Sequence, residues 1–407
     1  MTRSILRRDF VQTLATVAGA AVLPGAAWAA KGAPTWEKTL QAAKGQTVYF
    51  NAWAGDAKIN AYIQWAAKAC EQAHGVKVEH VKISDAADVV KRVRAEKAAG
   101  RGPGEGTVDL IWINGENFAA MKREGLLFGP FAEQLPNWKW VDTEGKPTTR
   151  LDFSESTDGL EAPWGMAQLT FYADKARLPS PPDSIVGLMD LAQSQPGRIT
   201  YPAPPSFHGT TFIKQALYEL AADPKTLRQP VTPAIFKTQT TKLWAFLDAL
   251  HPLLWRKGEQ FTKSASDVRA LMANGELIMG LTFNPNEAAS EVAAGRMAPT
   301  TYSWQFPGGT IGNTHFVAIP FNAKAPEGAQ VFANFLLSPQ AQARKADIQY
   351  WGDPTVLAVE RLPKAERSAF GQSLPPGSVE KPGPTLPEPH ASWVEALETA
   401  WVKRYGQ

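Results

Sequence analysis

The sequence predicts an open α/β fold divided into two domains, and three observations carry that expectation. The chain has 407 residues, more than one hydrophobic core usually holds, because single cores stop growing near roughly 250–300 residues. Three strand–turn–helix units follow one another between Val48 and Gly125, the alternation expected of an α/β sheet. The composition, 44% hydrophobic and 20% charged with 32 Gly and 32 Pro, is an ordinary globular balance, which argues against disorder, collagen-like repeats and coiled coils. No internal repeat or low-complexity segment interrupts it.

The elements read in order. Val48–Trp53 is an apolar, β-rich run, followed by a turn at Ala54-Gly55 and a helix opened by Asp56. Along that helix Ile59, Ile63, Ala66, Cys70 and Ala73 recur at helical spacing, which makes one buried stripe. Cys70 sits on the stripe and reads as a small core residue rather than a nucleophile. Val76–Ile83 is the next strand, and Ser84-Asp85 caps a helix reaching Ala99. The glycine-rich stretch Gly100–Gly106 fits neither phosphate-binding pattern and precedes a strand, so it reads as a surface connection. Val108–Ile113 is nearly all apolar, as for a central parallel strand covered on both faces. Asn114–Asn117 then turns into a helix that Gly125 ends.

A second set follows. Pro163–Tyr172 reads as a strand leaving the first domain and Arg198–Tyr201 as a strand of the second. Pro204–Gly209 feeds a helix over Thr210–Leu220, and strand Leu277–Phe283 ends in a loop, Asn284-Pro285-Asn286, that opens a helix at Glu287. Tyr302–Pro320 carries two apolar stretches around Gly308–Gly312, and Glu327–Leu337 is a helix. The tail after Ala346 is Pro-rich with two short helical patterns, the last ending near Tyr405.

Met1–Ala29 reads as an export signal: Arg3, Arg7 and Arg8 precede an apolar stretch from Thr13 to Trp28, closed by Ala27-Trp28-Ala29. Leu6–Val11, with its arginine pair and Phe10, resembles a twin-arginine signal, although Leu6 and Val11-Gln12 depart from the pattern. A general secretory signal with a chance arginine pair is the alternative. Removing the first 29 of the 407 residues would leave about 378 and bring the formal charge from +3 to about +1. The expectation is a soluble, periplasmic protein, because no other segment approaches the ~20 apolar residues of a membrane span.

Several function classes find no support. The small net charge argues against nucleic acid as a partner. One cysteine makes no internal disulfide and no multi-cysteine metal site. The six histidines are scattered singly, and neither Gly-x-Ser-x-Gly nor a phosphate-binding loop of the NTPase type occurs. The expectation is therefore no enzyme, no cofactor and no metal.

Polar and aromatic residues instead gather at strand ends. In open α/β sheets ligands bind beyond the carboxyl ends of the strands, where helix N-termini present free N–H groups. Four turns have that position: Trp53–Asp56 and Asn114–Asn117 in the first domain, Phe207–Thr211 and Asn284–Glu287 in the second. The candidate ligand contacts are Trp53, Gly55 and Asp56; Asn114, Gly115, Glu116 and Asn117; His208, Gly209, Thr210 and Thr211; and Asn284 and Asn286. Trp164 and Trp304, near the crossing strands, and Trp351 complete the set. Each has a plain structural alternative. Asp56, Asn114 and Asn284 serve equally as helix caps, and Gly115 and Gly209 as relief in tight turns. The tryptophans serve as core filling, His208 as a surface or capped histidine, and Trp351–Pro354 as an ordinary loop. An aromatic cleft with Asp56, Glu116 and Glu287 nearby would suit an organic cation, each cation–π contact contributing roughly 0.5–2 kcal/mol; the same indoles could stack on a sugar.

Phe50–Asp56, Asp109–Phe118, Pro163–Gln168, Gly209–Phe212, Asn274–Gly280 and Phe332–Gln340 together resemble the YnjB-like solute-binding proteins of ABC importers. The resemblance covers nearly the whole chain after residue 29. It implies a type II, two-lobe periplasmic binding protein-like fold, with the ligand in a cleft between lobes joined by two crossing segments. It places lobe 1 at residues 30–162 and 305–345, lobe 2 at 163–304, and a C-terminal helical segment at 346–407 packing on the lobes. It also implies hinge closure on a small solute, thiamine or a similar compound, by a monomer that delivers it to a membrane permease and its ATPase. An exported enzyme on the same frame and a sensor for a membrane receptor are the competing readings.

Overall fold

The computed structural model describes residues 35–371 and 375–406; the expected export signal lies outside them. Eleven strands are described: β1 (Thr47–Trp53), β2 (Lys77–Ile83), β3 (Leu110–Ile113), β4 (Leu151–Asp152), β5 (Glu155–Ser156), β6 (Glu161–Gln168), β7 (Thr170–Asp174), β8 (Met279–Thr282), β9 (Thr301–Trp304), β10 (Thr310–Ala318) and β11 (Thr385–Pro387). Two sheets hold the two lobes, and β4 and β5 form a small hairpin.

The first sheet runs β11-β10-β3-β1-β2, with β6 also paired to β10. β1 is parallel to β2 (Thr47 opposite Lys77) and to β3 (Phe50 opposite Leu110). β10 enters antiparallel to β3, Phe316 facing Ile113, so this sheet is mixed rather than purely parallel. The helix Ala57–His74 buries Ile59, Ile63, Ala66 and Cys70 under β1, while Ala73 lies exposed at its end. Burial pushes the Cys70 thiol up to about 12, which suits an inert core residue. The main core gathers Val48, Phe50, Ile63, Trp164, Val317, Phe332 and Leu336. A smaller one, with Val93, Ile111 and Phe118, lies on the other side of β3.

The second sheet is β8-β7-β9, antiparallel throughout, with Leu281 and Trp304 flanking Phe171. Its core includes Tyr201, Phe212 and Leu247, and Trp393 and Trp401 from the last helix, Ser392–Tyr405. The expected strand Arg198–Tyr201 does not form. The segment lies extended, the Arg198 and Ile199 carbonyls accepting from Ile278 and Trp255. Pro202, Pro204 and Pro205 follow at once, and a chain without N–H donors cannot continue a ladder. The helix Pro233–Leu250 has no counterpart in the sequence reading. Its Thr232 cap and Pro233 at the first helical position were the available signal.

Only Leu169 separates β6 from β7, and residues 305–309 separate β9 from β10. β6 and β10 form one long antiparallel ladder, from Gln168 opposite Gly312 to Glu161 opposite Ala318. Two continuous stretches of chain thus pass from one sheet to the other.

Candidate functional site

Turns of the two lobes stand on either side of the contact between Phe153 and Lys214. On one side, β3 ends in Asn114, and Gly115 takes a φ of +64° before the helix Glu116–Arg123. That conformation suits glycine, and the Phe153 ring lies 3.0 Å from where a Cβ would stand. The Gly115 N–H donates to Asp152 Oδ2 at 2.7 Å. Asn117 Nδ2 reaches Glu116 Oε1 at 3.4 Å.

Opposite stands the helix Phe207–Leu220. Phe207 is exposed at its start and packs edge-on against Phe283. Gly209 lies so close to the Pro202 carbonyl that a Cβ would fall 2.0 Å from it. Thr210 donates to Glu398 Oε1 at 2.7 Å, while the Thr211 hydroxyl is buried without a partner. One turn further on, Lys214 Nζ pairs with Glu388 Oε2 at 2.6 Å, both side chains buried. The same ammonium stands 4.7 Å from the Phe153 ring centre and 5.7 Å from that of Phe207. Asn313 Nδ2 donates to the other Glu388 oxygen at 3.2 Å.

Three carboxyl groups, Glu116, Glu388 and Glu398, therefore gather around Lys214, with Asp152 beside Glu116 and Glu388. Loss of water is the largest influence on each, and it raises Glu116, Asp152, Glu388 and Glu398 above the ordinary range. Glu116 also feels Glu388, and Glu398 feels Glu116, both in the raising direction, while Lys214 opposes. Glu116 is itself exposed to solvent, at the open edge of the group. His208, half-covered beside Phe207, is drawn down to about 4 by the same loss of water, so its imidazole is neutral at pH 7.

On the other side, β1 ends in Trp53, 41% exposed, whose ring lies over Gly55. Asp56 caps the helix Ala57–His74 by accepting from the Lys58 and Ile59 N–H groups at 2.8 and 3.0 Å. The facing groups are Asn284, Asn286 and the helix Glu287–Ala293, and residues 345–353 lie between. Asn286 Nδ2 donates to the Gly352 carbonyl at 2.8 Å, and Asn284 Nδ2 reaches the Trp351 carbonyl at 3.5 Å. The Ile348 carbonyl accepts from Lys58 Nζ at 2.7 Å and from Ser290 Oγ at 3.2 Å, bridging the lobes. Glu287, expected to face a cation, is instead bound to Arg269 and to the Thr282 hydroxyl within lobe 2.

Three tryptophans of the candidate set lie in cores rather than at the opening. Trp304 stacks on Phe171 and Tyr302, and its Nε1 donates to the Pro182 carbonyl at 3.0 Å. Trp164 is fully buried, and Trp351 nearly so. With Trp112 and His315 they surround Lys345, whose ammonium is 4.1 Å from the Trp164 ring centre and 4.2 Å from that of Trp351. Lys345 pairs with Asp353 Oδ2 at 2.6 Å, and His315 reaches Oδ1 at 3.2 Å. Burial draws Lys345 down to about 8, against the pull of Asp353. This aromatic box already holds a cation of the protein's own.

The sequence reading missed Phe153, Lys214, Asn313, Glu388 and Glu398. Only Lys214 had a local signal, four residues after Thr210 and hence on the same helix face. Among the described residues no grouping of three or more His, Cys, Asp or Glu side chains is arranged to hold a metal ion, and no helix is long and apolar enough to cross a membrane.

Known proteins agree with this architecture. The chain is 47% identical over 374 residues to Protein YnjB of Escherichia coli (strain K12), covering 92% of this chain and 95% of that one. It is 22% identical over 313 residues to the putrescine-binding periplasmic protein SpuD of Pseudomonas aeruginosa (strain UCBPP-PA14), covering 74% and 79%. Its fold matches that of the periplasmic binding protein AfuA from Actinobacillus pleuropneumoniae, with a TM-score of 0.60 at 18% identity, over 88% of this chain and 98% of the other. The sequence pattern described as Bacterial extracellular solute-binding protein spans residues 65–369. The chain belongs to that family of extracellular solute-binding proteins, of the YnjB-like kind that serves ABC importers.

Proposed function

We propose that the protein captures a small organic cation between its lobes and hands it to an ABC permease and its ATPase, without turning it over. The observation that carries the cationic part is the gathering of Glu116, Glu388 and Glu398 around the single buried Lys214, with Asp152 behind Glu116. Lys214 and Glu388 satisfy one another, which leaves carboxyl groups in excess. An ammonium entering beside Glu116 would relieve that excess, and the exposed ring of Phe207 offers it cation–π contact. A relative that binds putrescine is consistent with this chemistry. Export through the segment Met1–Ala29, residence in the periplasm as a monomer, and closure about β6–β7 and β9–β10 belong to the same proposal. So does a division into moving bodies at residues 30–162 with 305–345 and at 163–304.

The test is a melting and calorimetry panel of putrescine, spermidine, choline and thiamine against neutral sugars and simple anions, after unfolding and refolding to strip bound ligand. One cation should raise the melting temperature by several degrees and be recovered unchanged. Glu116→Gln should weaken that cation about tenfold, since ionic hydrogen bonds contribute about 1.5–3 kcal/mol. A shift confined to neutral or anionic compounds would defeat the cationic reading, and conversion of the bound compound would defeat the binding-only one.

A further inference from the structure

A separate recess of about 240 Å³ lies at the rim of the first lobe, between the start of the helix Ala57–His74 and the segment Arg344–Tyr350. Two cations line it, Lys58 and Arg344. The Arg344 guanidinium carbon sits 3.5 Å from the Tyr350 ring centre and 4.6 Å from that of Trp65, so two aromatic faces clamp it. Its Nε is buried and meets no acceptor among the described residues. Lys58 spends one donor on the Ile348 carbonyl and keeps the others.

The neighbouring carboxylates are engaged elsewhere. Asp56 accepts from the Lys58 and Ile59 N–H groups, Asp347 from the Gln349 N–H, and Asp353 is bound to Lys345 and His315. Among the described residues neither Lys58 nor Arg344 has a carboxylate within ion-pairing distance. A planar guanidinium stiffened by stacking offers forked donors that match an oxyanion, and an ammonium beside it adds a point charge.

We infer that this recess is an oxyanion site, taking a phosphate or carboxylate group on Arg344 and Lys58. Its lining comes from the first lobe and residues 344–350, so it stands apart from the carboxyl cluster around Lys214. The anion is either a free ion or an acidic group carried by the captured solute, and both present the same chemistry to the recess.

The experiment is a calorimetric titration of the full chain with inorganic phosphate at constant ionic strength, chloride serving as control. Saturable binding of one phosphate is expected. Arg344→Gln should weaken it at least about tenfold, and Lys58→Gln, which leaves the stacked aromatic clamp intact, several-fold. Glu116→Gln should leave phosphate affinity unchanged, so failure here and failure of the cation reading show in different variants. Repeating the titration with the bound cation from the panel distinguishes the sources: independent binding marks a free anion, mutual enhancement or competition a shared ligand. Absence of saturable binding, or equal affinity in both the Arg344 and Lys58 variants, would overturn the proposal.

Discussion

Glu161 opens β6 with a fully buried side chain whose carboxyl oxygens have no hydrogen-bond partner among the described residues. Burial raises it well above the ordinary glutamate range, and the neighbouring Asp152 adds to the effect. An unfolded glutamate loses its proton near 4.3, whereas the folded one keeps it to higher pH. Between those two values the folded state binds more protons, so stability falls as pH rises through the window and is fullest below it. Glu161→Gln keeps the shape of the protonated acid and removes its titration. The variant should melt a few degrees higher than the parent at pH 7 and lose less stability between pH 5 and 7, as read by scanning calorimetry at several pH values. An unchanged pH slope would assign the effect to Asp152 alone.

At the scale of elements, the helix Pro339–Ala346 acts as a clamp on β6. Gln342 Nε2 and Lys345 Nζ both donate to the Trp164 carbonyl at 2.8 Å, and Lys345 continues to Asp353. The contact is so close that a Cβ on Gly165 would lie 1.9 Å from the Lys345 ammonium. Removing one partner of a buried pair leaves an uncompensated charge, so Lys345→Met should cost about 3–5 kcal/mol in urea denaturation. Adding Asp353→Asn should recover much of that loss; a double variant no more stable than the single one would mean that packing of the aliphatic stem, not charge, carries the clamp. This clamp also marks where sequence reading ends. The stripe Ile59–Cys70, the Asp56 cap and the strand-end turns were legible because periodicity and capping act over a few residues. That Trp164 and Trp351 would close on Lys345, or that Glu388 and Glu398 would meet Lys214, depends on chain separations of more than 170 residues in the case of Glu388 and Lys214, and no local pattern reports them. The mixed order of the first sheet was hidden for the same reason: β10 reaches β3 only after the whole second lobe has intervened.

For the whole molecule, contacts between the lobes stand on both sides of the proposed cleft. Near β3 the lobes meet where Lys214 stands 4.7 Å from the Phe153 ring centre, with Glu116, Glu388 and Glu398 around it. Near β1 the lobes already meet through residues 345–353, where Asn286 donates to Gly352 and Ser290 to Ile348. In a hinged protein the apparent affinity is the intrinsic affinity scaled by the fraction of molecules in the binding-competent state. On the closing motion proposed above, the Asn286 and Ser290 hydrogen bonds would bias that fraction toward closure without touching the carboxyl cluster around Lys214. Each contributes about 0.5–1.5 kcal/mol, so Asn286→Ala with Ser290→Ala should weaken the cation identified in the panel by about fivefold to a hundredfold. Small-angle scattering should show a larger radius of gyration for the ligand-free variant than for the parent, and the two should converge at saturating cation. Weakened binding with identical ligand-free scattering would make these residues ligand contacts rather than closing contacts. Unchanged affinity would mean that the segment 345–353 does not take part in closure, leaving the carboxyl side of the cleft to set it alone.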